Sequence, residues 1–348
     1  MYLHGLATAN PPATFTQARC LEIARAAYAD LPDFNRRSRL TLASILGGDS
    51  GVQTRQFAVR DIGRLFLADA DELNEEFRAT APPLAAAALQ PALHQAGIDA
   101  RELDALVVCT CTGYLCPGIS SYVAEAMELR ADAWLQDLAG LGCGAALPGL
   151  RTVQAMLAAN PRANVACVAV EVCSAAFYLD NDPGVIISAC LFGDGAAATV
   201  WRSDPGAQRL RCHSFDTVHD PRSRDRIRFE QRNGKLRNLL HPSVPDLAAA
   251  AVASLHHRAC GNGHIPPARI IAHAGGKDVV AALQDKFPGH DFGATREILR
   301  GHGNMSSPSV LFALQEALRE GSPEPGKDWW LTAFGAGFSA HSCRLSAD

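Results

Sequence analysis

The chain has 348 residues, 48% of them hydrophobic and 20% charged, with a formal net charge of -4. A chain of this size can bury a large core, in two domains or in one large double domain. The slightly acidic balance gives no reason to expect nucleic acid or an anionic membrane as a partner. The N-terminus lacks the pattern of a signal peptide, and no apolar stretch is long enough to span a bilayer comfortably. We therefore predict a soluble cytoplasmic protein.

Apolar β-branched runs alternate with alanine-rich runs along the chain, which predicts an α/β fold. The predicted strands cover residues 105–111, 133–138, 165–173, 196–201, 269–273, 329–334 and 339–345. The predicted helices cover residues 81–97, 118–128, 143–159, 243–259, 277–286 and 307–319. Because the strands are almost continuously hydrophobic, we expect sheets that are covered on both faces.

Three pairs of similar segments occur in the same order in both parts of the chain. LFGDGAAATVW resembles LTAFGAGFSAHSCRL, and LVVCTCTG resembles IIAHAGG. Cys143 and Asn304 each follow a glycine at the start of a predicted helix. The shared order predicts two similar halves, 1–204 and 205–348, joined near residues 202–208.

The eleven cysteines are an odd number, and most of them lie in apolar strand-like runs, which is typical of reduced thiols in the cytosol. Cys109, Cys111 and Cys116 lie close together, as zinc ligands often do. However, the chain has no Cys-x-x-Cys pair, and Cys109 and Cys111 would share one face of a strand. We predict no metal site.

Cys143 lies between Gly142 and Gly144, after a predicted strand and at the start of a predicted helix. In the first turn of a helix, the helix dipole and unpaired backbone N–H groups stabilise a thiolate over a thiol. Two flanking glycines leave room for a substrate carbonyl. The pattern predicts a nucleophilic thiolate, and the alternative is a buried cysteine that only packs.

His273 follows a predicted strand and precedes two glycines, and Asn304 lies at a predicted helix start. Each has a plain structural alternative, because a lone histidine is more often a core residue and an asparagine there is more often an N-cap. We expect His302 to lie behind these residues or on the surface.

Several motifs together resemble the type III polyketide synthases, the chalcone-synthase-like branch of the thiolase superfamily. They are GLGCGAALPGL, CLFGDGAAATVW, IIAHAGG, GHGNMSSPSVLFAL and FGAGFSAHSCRL, in this order. CTCTGYLCPGISSYVAE and RIRFEQRNGKLRNLLHPSVPDLA look most similar to the bacterial members that make alkylresorcinols or alkylpyrones. The resemblance implies a thiolase-like fold, in which two βα halves stack as an α-β-α-β-α sandwich.

The resemblance also implies a catalytic set of Cys143, His273 and Asn304. A cysteine thiolate would take an acyl group from an acyl-CoA and hold it as a thioester. Malonyl-CoA would then lose carbon dioxide, and an imidazole and a carboxamide would stabilise the enolate oxygen. The expected substrates are acyl-CoA and malonyl-CoA, with no organic or metal cofactor, and the expected assembly is a homodimer.

Other site positions are matched to the family one by one. Phe192 matches an aromatic at the pocket mouth, although simple core packing is an equal alternative, and Asp194 looks structural. Cys116 replaces a methionine that reaches into the partner's pocket in plant relatives, so a smaller side chain there could leave room for a long acyl chain. The remaining residues expected to line the substrate pocket are Thr112, Ala176, Gly276, Ser306, Gly335 and Gly337.

The chain departs from the plant enzymes at two places. Their basic CoA-contacting positions fall on Leu42, Ile45 and Asp49, none of which can hold a phosphate, and a second aromatic gate falls on Arg237. The candidates that could bind CoA instead are Arg36, Arg37, Arg39 and Lys277.

Two alternatives from different classes stay open at this point. An initiating ketoacyl-(carrier-protein) synthase uses the same three residue types, but it usually has His-Gln-Ala-Asn and Asn-Thr-Ser where this chain has HAGG and GNMSS. A catalytically silent member of the fold could serve as a binding protein, although an intact Cys, His and Asn argues against it.

Overall fold

Strands and helices alternate through most of the chain. The computed structural model describes residues 1–59, 61–207, 209–260 and 266–347. The strands are β1 (Tyr2–Ala9), β2 (Thr14–Thr16), β3 (Thr54–Gln56), β4 (Ala105–Cys109), β5 (Trp134–Leu138), β6 (Val165–Glu171), β7 (Gly195–Arg202), β8 (Leu210–His219), β9 (Ile227–Arg232), β10 (Lys235–Leu240), β11 (Arg269–Ala272), β12 (Trp329–Gly335) and β13 (Ser339–Ala347). The helices are α1 (Gln17–Ala29), α2 (Arg36–Gly47), α3 (Ile62–Leu65), α4 (Ala70–Ala96), α5 (Ile119–Ala126), α6 (Ala146–Ala159), α7 (Pro183–Leu191), α8 (Val244–Cys260), α9 (Lys277–Lys286), α10 (Gly293–His302) and α11 (Ser309–Glu320).

Nine strands of the described ranges join in the order β11-β12-β13-β8-β1-β7-β6-β4-β5. β1 and β8 meet in the middle through one residue pair, Tyr2 with Arg211. On one side, β1–β7 and β7–β6 are antiparallel and β6–β4 is parallel. On the other side, β8–β13 and β13–β12 are antiparallel and β12–β11 is parallel. The two sides repeat one topology, which confirms the predicted α/β fold of two similar halves.

The helices form three layers around these strands. α4 packs on β1, β6 and β7, and α8 packs on β8 and β13. α6 and α11 each contact strands of both halves and therefore lie between them. The result is the α-β-α-β-α sandwich that the resemblance implies.

β4 and β6 explain why so many strands read as continuous apolar runs. Val107 and Cys109 pack in the core that contains α6, whereas Leu106 and Val108 pack in the core that contains α4. Because both faces are buried, hydrophobic side chains are favoured at every position of these parallel strands.

Several predicted boundaries were wrong, for local reasons. β4 ends two residues early because the backbone N–H groups of Cys111 and Thr112 turn toward the Glu171 carboxylate. β6 ends two residues early because a 3-10 turn begins at Cys173. α4 begins at Ala70 rather than at 81, with Asp69 in a capping box, although three prolines lie within it. α6 begins at Ala146, three residues after the predicted start.

The connection between the halves runs from the end of β7 at Arg202 to the start of β8 at Leu210. We propose the boundary at 204/205, within this connection. Gln208 in the connection and Asp348 at the end of the second half lie outside the described residues. Within the described ranges, no helix combines the length and apolar character that a bilayer span needs.

Candidate active site

Cys143 lies in a single 3-10 turn, Gly142–Gly144, between β5 and α6. The turn is tightly packed, because a Cβ on Gly142 would lie 2.9 Å from the backbone nitrogen of Ala336. Gly142 also has a φ of 59°, a conformation that favours glycine. The nucleophile candidate therefore precedes the helix instead of opening it, and its side chain is only 6% exposed.

The sulfur of Cys143 accepts a hydrogen bond from the hydroxyl of Ser306, with 3.2 Å between Oγ and Sγ. The same hydroxyl oxygen lies 3.1 Å from the sulfur of Cys111. Burial raises the pKa of the Cys143 thiol to about 12, although the Ser306 hydrogen bond acts in the opposite direction. Desolvation therefore opposes the predicted thiolate, and in this structure it outweighs the stabilisation available at the turn.

His273 directly follows β11 and is fully buried. Its ring meets the ring of Phe334 edge to face, with 5.3 Å between centroids. Neither ring nitrogen is hydrogen-bonded to any residue that the structure describes. Burial lowers the pKa of His273 to about 3, so the imidazole is neutral. Among the described residues, His273 makes no hydrogen bond with Cys143, whose sulfur is bound by Ser306 instead.

Asn304 is held on both ends of its carboxamide. Its Nδ2 donates to the carbonyl oxygen of Gly275 at 3.0 Å, and its Oδ1 accepts from the backbone N–H of Ser306 at 2.8 Å. α11 begins only at Ser309 with Pro308 as its cap residue, so Asn304 is not an N-cap. One amide hydrogen of Asn304 is left for another partner.

These contacts link three loops from both halves of the fold. Gly275, two residues after His273, binds Asn304, and Ser306, two residues after Asn304, binds Cys143. On the other side, a Cβ on Gly335 would lie 3.0 Å from the backbone nitrogen of Cys143. The structure thus brings the loops of the three predicted catalytic residues together.

Glu171 is a buried carboxylate beside this site that the sequence reasoning missed. Its Oε2 accepts hydrogen bonds from Thr110 Oγ1, Cys111 N and both the backbone and hydroxyl of Thr112. Its Oε1 accepts from Ser307 Oγ at 2.6 Å. Burial raises the pKa of Glu171. A single acidic residue at the end of an otherwise apolar strand could have indicated Glu171 as a candidate.

A cavity of about 720 Å³ opens beside Cys143. Its walls come from the start of α4, the loop after β4, the β9–β10 hairpin, and Gly142, Ala176 and Ala336. Thr112 and Ala176 line it, as the sequence predicts. The sequence analysis missed the hairpin, although its Asn233-Gly234 turn between two segments of mixed apolar and polar residues is a hairpin signal.

Phe192 is 8% exposed and is bridged to Asn304 through the backbone. The buried Arg55 guanidinium donates to its carbonyl oxygen at 2.8 Å. Phe192 lines a crevice of about 20 Å³, whose walls Thr112 and Ala176 also line. Asp194 is structural as expected, but its carboxylate braces Ser174 rather than its own turn.

Six of the residues predicted to line the pocket do not line the large cavity, namely Phe192, Ser306, Gly335, Gly276, Gly337 and Cys116. Gly335 packs against the Cys143 turn, and Gly276, with a φ of 155°, precedes α9 as its cap residue. Gly337 lies next to the His219 ring, where a Cβ would be 3.2 Å from the ring. Cys116 is exposed on the surface of its own chain.

The predicted CoA-binding residues lie in two places. Arg36 and Arg37 are exposed at the start of α2, whereas Arg39 donates to the carbonyl of Phe34 and covers the Tyr28 ring. Lys277 begins α9 and binds the Asp49 carboxylate at 2.5 Å.

Only Lys277 of these four residues borders a surface groove of about 670 Å³. The same groove is lined by Arg296 and Arg300, which the sequence analysis missed. Among the described residues, no group of three or more His, Cys, Asp or Glu side chains could hold a metal ion.

Sequence similarity to known proteins identifies the family of this chain. A family model described as FAE1/type III polyketide synthase-like protein matches residues 48–219. One described as 3-oxoacyl-(acyl-carrier-protein) synthase III C terminal matches residues 268–346. The 1,3,6,8-tetrahydroxynaphthalene synthase of Streptomyces peucetius subsp. caesius is 30% identical, covering 96% of this chain and 89% of that protein. The chain belongs to the type III polyketide synthase family.

Other similarities agree with this assignment. The 3,5-dihydroxyphenylacetyl-CoA synthase of Streptomyces toyocaensis is 29% identical, covering 76% of this chain and 72% of that protein. The crystal structure of 1,3,6,8-tetrahydroxynaphthalene synthase from Streptomyces coelicolor A3(2) matches with a TM-score of 0.88 at 26% identity, covering 100% of this chain and 99% of that chain. As a type III polyketide synthase, the present chain has the thiolase fold and is an acyltransferase-type condensing enzyme. The carrier-protein and silent-member alternatives are not favoured.

Proposed function

We propose that the enzyme loads an acyl-CoA starter on Cys143, extends it with malonyl-CoA by decarboxylative Claisen condensation, and cyclises the product. The observation that carries this assignment is the hydrogen-bonded link from Cys143 through Ser306 and Asn304 to Gly275, beside His273. Alkylresorcinols and alkylpyrones are the proposed products. The relatives are named for aromatic products with several hydroxyl groups. An assay must therefore detect such products as well.

Loading begins with a proton transfer. The thiol of Cys143 is protonated and the imidazole of His273 is neutral, because burial opposes charge on both. His273 therefore has a lone pair that can take the thiol proton as the sulfur attacks the thioester carbonyl. The CoA thiolate leaves and takes that proton from the imidazolium, and the acyl group stays on Cys143.

Extension places negative charge on an oxygen. When malonyl-CoA loses carbon dioxide, the electron pair of the broken bond moves into an enolate. The free amide hydrogen of Asn304 and an N–H of His273 suit this oxygen, and removing one such donor typically raises the barrier by about 2.7–4 kcal/mol. The enolate carbon then attacks the acyl thioester and releases the Cys143 sulfur. The two thioesters supply the activation, so we expect no organic or metal cofactor.

We propose that CoA phosphates bind in the groove at Lys277, which Arg296 and Arg300 also line. Each of these side chains is paired with a carboxylate in the structure, and a phosphate would compete for it. Arg36, Arg37 and Arg39 on α2 are the alternative from the sequence. Lys277→Ala should raise the KM for acyl-CoA more than Arg36→Ala, with kcat little changed. A larger effect of Arg36→Ala would favour the α2 cluster.

We propose a homodimer formed along β5. This strand is last in the sheet order, and Trp134 on it is 64% exposed. Tyr114 is 72% exposed in the loop that also carries the exposed Cys116. A second copy would cover these apolar side chains and bring Cys116 toward the partner's cavity. If Cys116→Met leaves the chain-length preference unchanged, Cys116 has no such role.

The eleven cysteines all lie in the described ranges as free thiols, which supports the proposed cytoplasmic location.

The direct test is incubation with a panel of acyl-CoAs and labelled malonyl-CoA, with product masses measured by liquid chromatography and mass spectrometry. We expect products that contain one starter and a whole number of labelled two-carbon units, and none from Cys143→Ala. No condensation product from any starter would overturn the proposal. Condensation with malonyl carrier protein but not malonyl-CoA would favour the ketoacyl synthase alternative.

A further inference from the structure

A small crevice beside Phe192 has a polar group that the proposed chemistry does not use. Its volume is about 20 Å³, and it shares Thr112, Ala176, Phe229 and Leu236 with the large cavity. A void of about 10–15 Å³ is sufficient for one water molecule, so the crevice has room for one hydroxyl-sized group. Its other walls are mostly apolar.

Asn238 on β10 presents this polar group. The residue is 4% exposed, and its Nδ2 donates to the hydroxyl oxygen of Ser188 at 2.8 Å. Its Oδ1 is buried and accepts no hydrogen bond from any residue that the structure describes. A buried acceptor without a partner costs about 1–3 kcal/mol.

The orientation of the Asn238 amide follows from its neighbour. The hydroxyl of Ser188 donates its only hydrogen to the carbonyl oxygen of Gly184, at 2.8 Å. Ser188 can therefore only accept from Asn238, which directs Nδ2 to Ser188 and leaves Oδ1 for another donor. The hydroxyl of Thr112, also on the crevice wall, already donates to Glu171.

The backbone holds Asn238 in place from two sides. It pairs with Phe229 across the β9–β10 hairpin. On the side of α7, a Cβ on Gly184 would lie only 2.2 Å from the Asn238 carbonyl oxygen. The acceptor is therefore fixed before any ligand binds, which is the arrangement that favours selective hydrogen bonding.

We propose that this crevice is a subsite for one hydroxyl group of the acyl chain carried by Cys143, with Oδ1 of Asn238 accepting its hydrogen bond. The inference rests on the proposed function. An acceptor selects O–H groups and disfavours a ketone oxygen at the same position. Two groups have this chemistry, a hydroxyl on the starter and the enol of the growing polyketide chain.

The starter arm compares pairs that differ by one hydroxyl, 3-hydroxybutyryl-CoA with butyryl-CoA and 4-hydroxyphenylacetyl-CoA with phenylacetyl-CoA. We expect the wild type to favour a hydroxylated member in kcat/KM by about 10-fold or more, because sites built to bind a hydroxyl reject analogues that lack it. Asn238→Leu should remove this preference. Asn164→Leu, the same change at a remote asparagine bonded to Glu102 and Arg202, should retain it.

The enol arm uses butyryl-CoA with labelled malonyl-CoA. If the subsite binds the enol, Asn238→Leu should shift the products toward fewer extensions by about 10-fold, with loading of Cys143 unchanged. The proposal is overturned if the wild type treats both pairs alike and the variant leaves product lengths unchanged. It is also overturned if Asn238→Leu lowers all rates in equal proportion, because that result indicates a structural role.

Binding provides a readout that does not depend on turnover. Calorimetric titration of the same acyl-CoA pairs into Cys143→Ala should show tighter binding of a hydroxylated member if the starter hydroxyl is bound, and this difference should be lost on adding Asn238→Leu. Condensation without discrimination in either arm overturns the subsite and leaves the proposed function intact. Discrimination in binding without any condensation supports the subsite and overturns the proposed function.

Discussion

The side chains of Cys143 and His273 are both neutral in the structure, for the same reason. Burial raises the pKa of the thiol to about 12 and lowers the pKa of the imidazole to about 3. Separate charges would be costly in this environment, whereas a thiolate and an imidazolium formed together would offset each other. We propose that activation of the sulfur depends on proton transfer to the imidazole.

Removing the proton acceptor should slow the reaction of Cys143 with electrophiles. We expect His273→Gln to lower the rate of iodoacetamide alkylation at Cys143 by about 10-fold or more, since a positioned base typically contributes at least that much. Peptide mapping by mass spectrometry measures the rate. The half-buried Cys260, at the end of α8, is the internal control and should react equally in both proteins. Equal rates at Cys143 would contradict this role.

The buried imidazole should also make stability depend on pH. Its pKa falls from 6.5 to about 3 on folding, so in that window the unfolded chain binds a proton that the folded chain does not. The free energy of unfolding should therefore fall as pH falls below 6.5, by about 1.4 kcal/mol per pH unit for this residue. Urea unfolding should show a shallower pH dependence for His273→Gln. Parallel curves for the two proteins would contradict the lowered pKa.

The sequence predicted Cys143, His273 and Asn304 but missed Glu171 and Asn238. Cys143 between two glycines, and His273 and Asn304 each near a glycine, are local patterns, and their order along the chain resembles a known family. Glu171 and Asn238 depend on partners far away in sequence, such as Ser307 and Ser188, and nothing local indicates those contacts. The burial of Cys143, which opposes a thiolate, could not be predicted locally because burial depends on the whole fold.

At the scale of elements, the close approach of β12 to the Cys143 turn depends on a glycine. A Cβ on Gly335 would lie 2.7 Å from the nitrogen of Gly144 and 2.8 Å from the oxygen of Leu141, both backbone atoms that cannot move aside cheaply. We expect Gly335→Ala to lower the free energy of unfolding by about 1–3 kcal/mol and to reduce condensation.

Gly301→Ala is the matched control for this change. Gly301 lies in α10, and a Cβ there would meet nothing within 4 Å. Because alanine is favoured over glycine within a helix, this variant should be more stable by about 0.5–1 kcal/mol. Urea denaturation measures both variants. Equal stability of Gly335→Ala and the wild type would contradict the tight packing.

Some elements were predicted closely, and others were missed. The helix over 277–286 and the strand over 329–334 correspond closely to α9 and β12. α1, α2, α7, α10 and β8 were missed, since they are short, polar or partly exposed and are stabilised by packing rather than by their own pattern. Prolines within α4 moved its predicted start too far along the chain.

At the scale of the whole molecule, the exposed edge of the sheet should mediate dimer formation. We expect sedimentation to give twice the 37.0 kDa mass of one chain for the wild type. Trp134→Asp should shift the protein to a monomer, because a charge on an apolar edge strand opposes pairing. Leu40→Asp, at an exposed leucine on α2, should stay dimeric. A dimeric Trp134→Asp would place the interface elsewhere.

The proposed site draws on both halves of the fold, with Cys143 from the first and His273 and Asn304 from the second. Two contacts join the halves at this site: the Ser306 hydroxyl donates to the Cys143 sulfur, and Gly335 packs against the backbone of the Cys143 turn. We propose that the first half of the chain ends at residue 204 and the second begins at residue 205. The site needs both halves.

Acylation of Cys143 tests the central claim most directly. The enzyme is mixed with an acyl-CoA in the absence of malonyl-CoA, and intact-protein and peptide mass spectrometry locate any acyl adduct. We predict one acyl group per chain, on the peptide that contains Cys143, and no stable adduct on Cys143→Ala. An adduct on another cysteine, or none with any starter that supports condensation, would contradict the account.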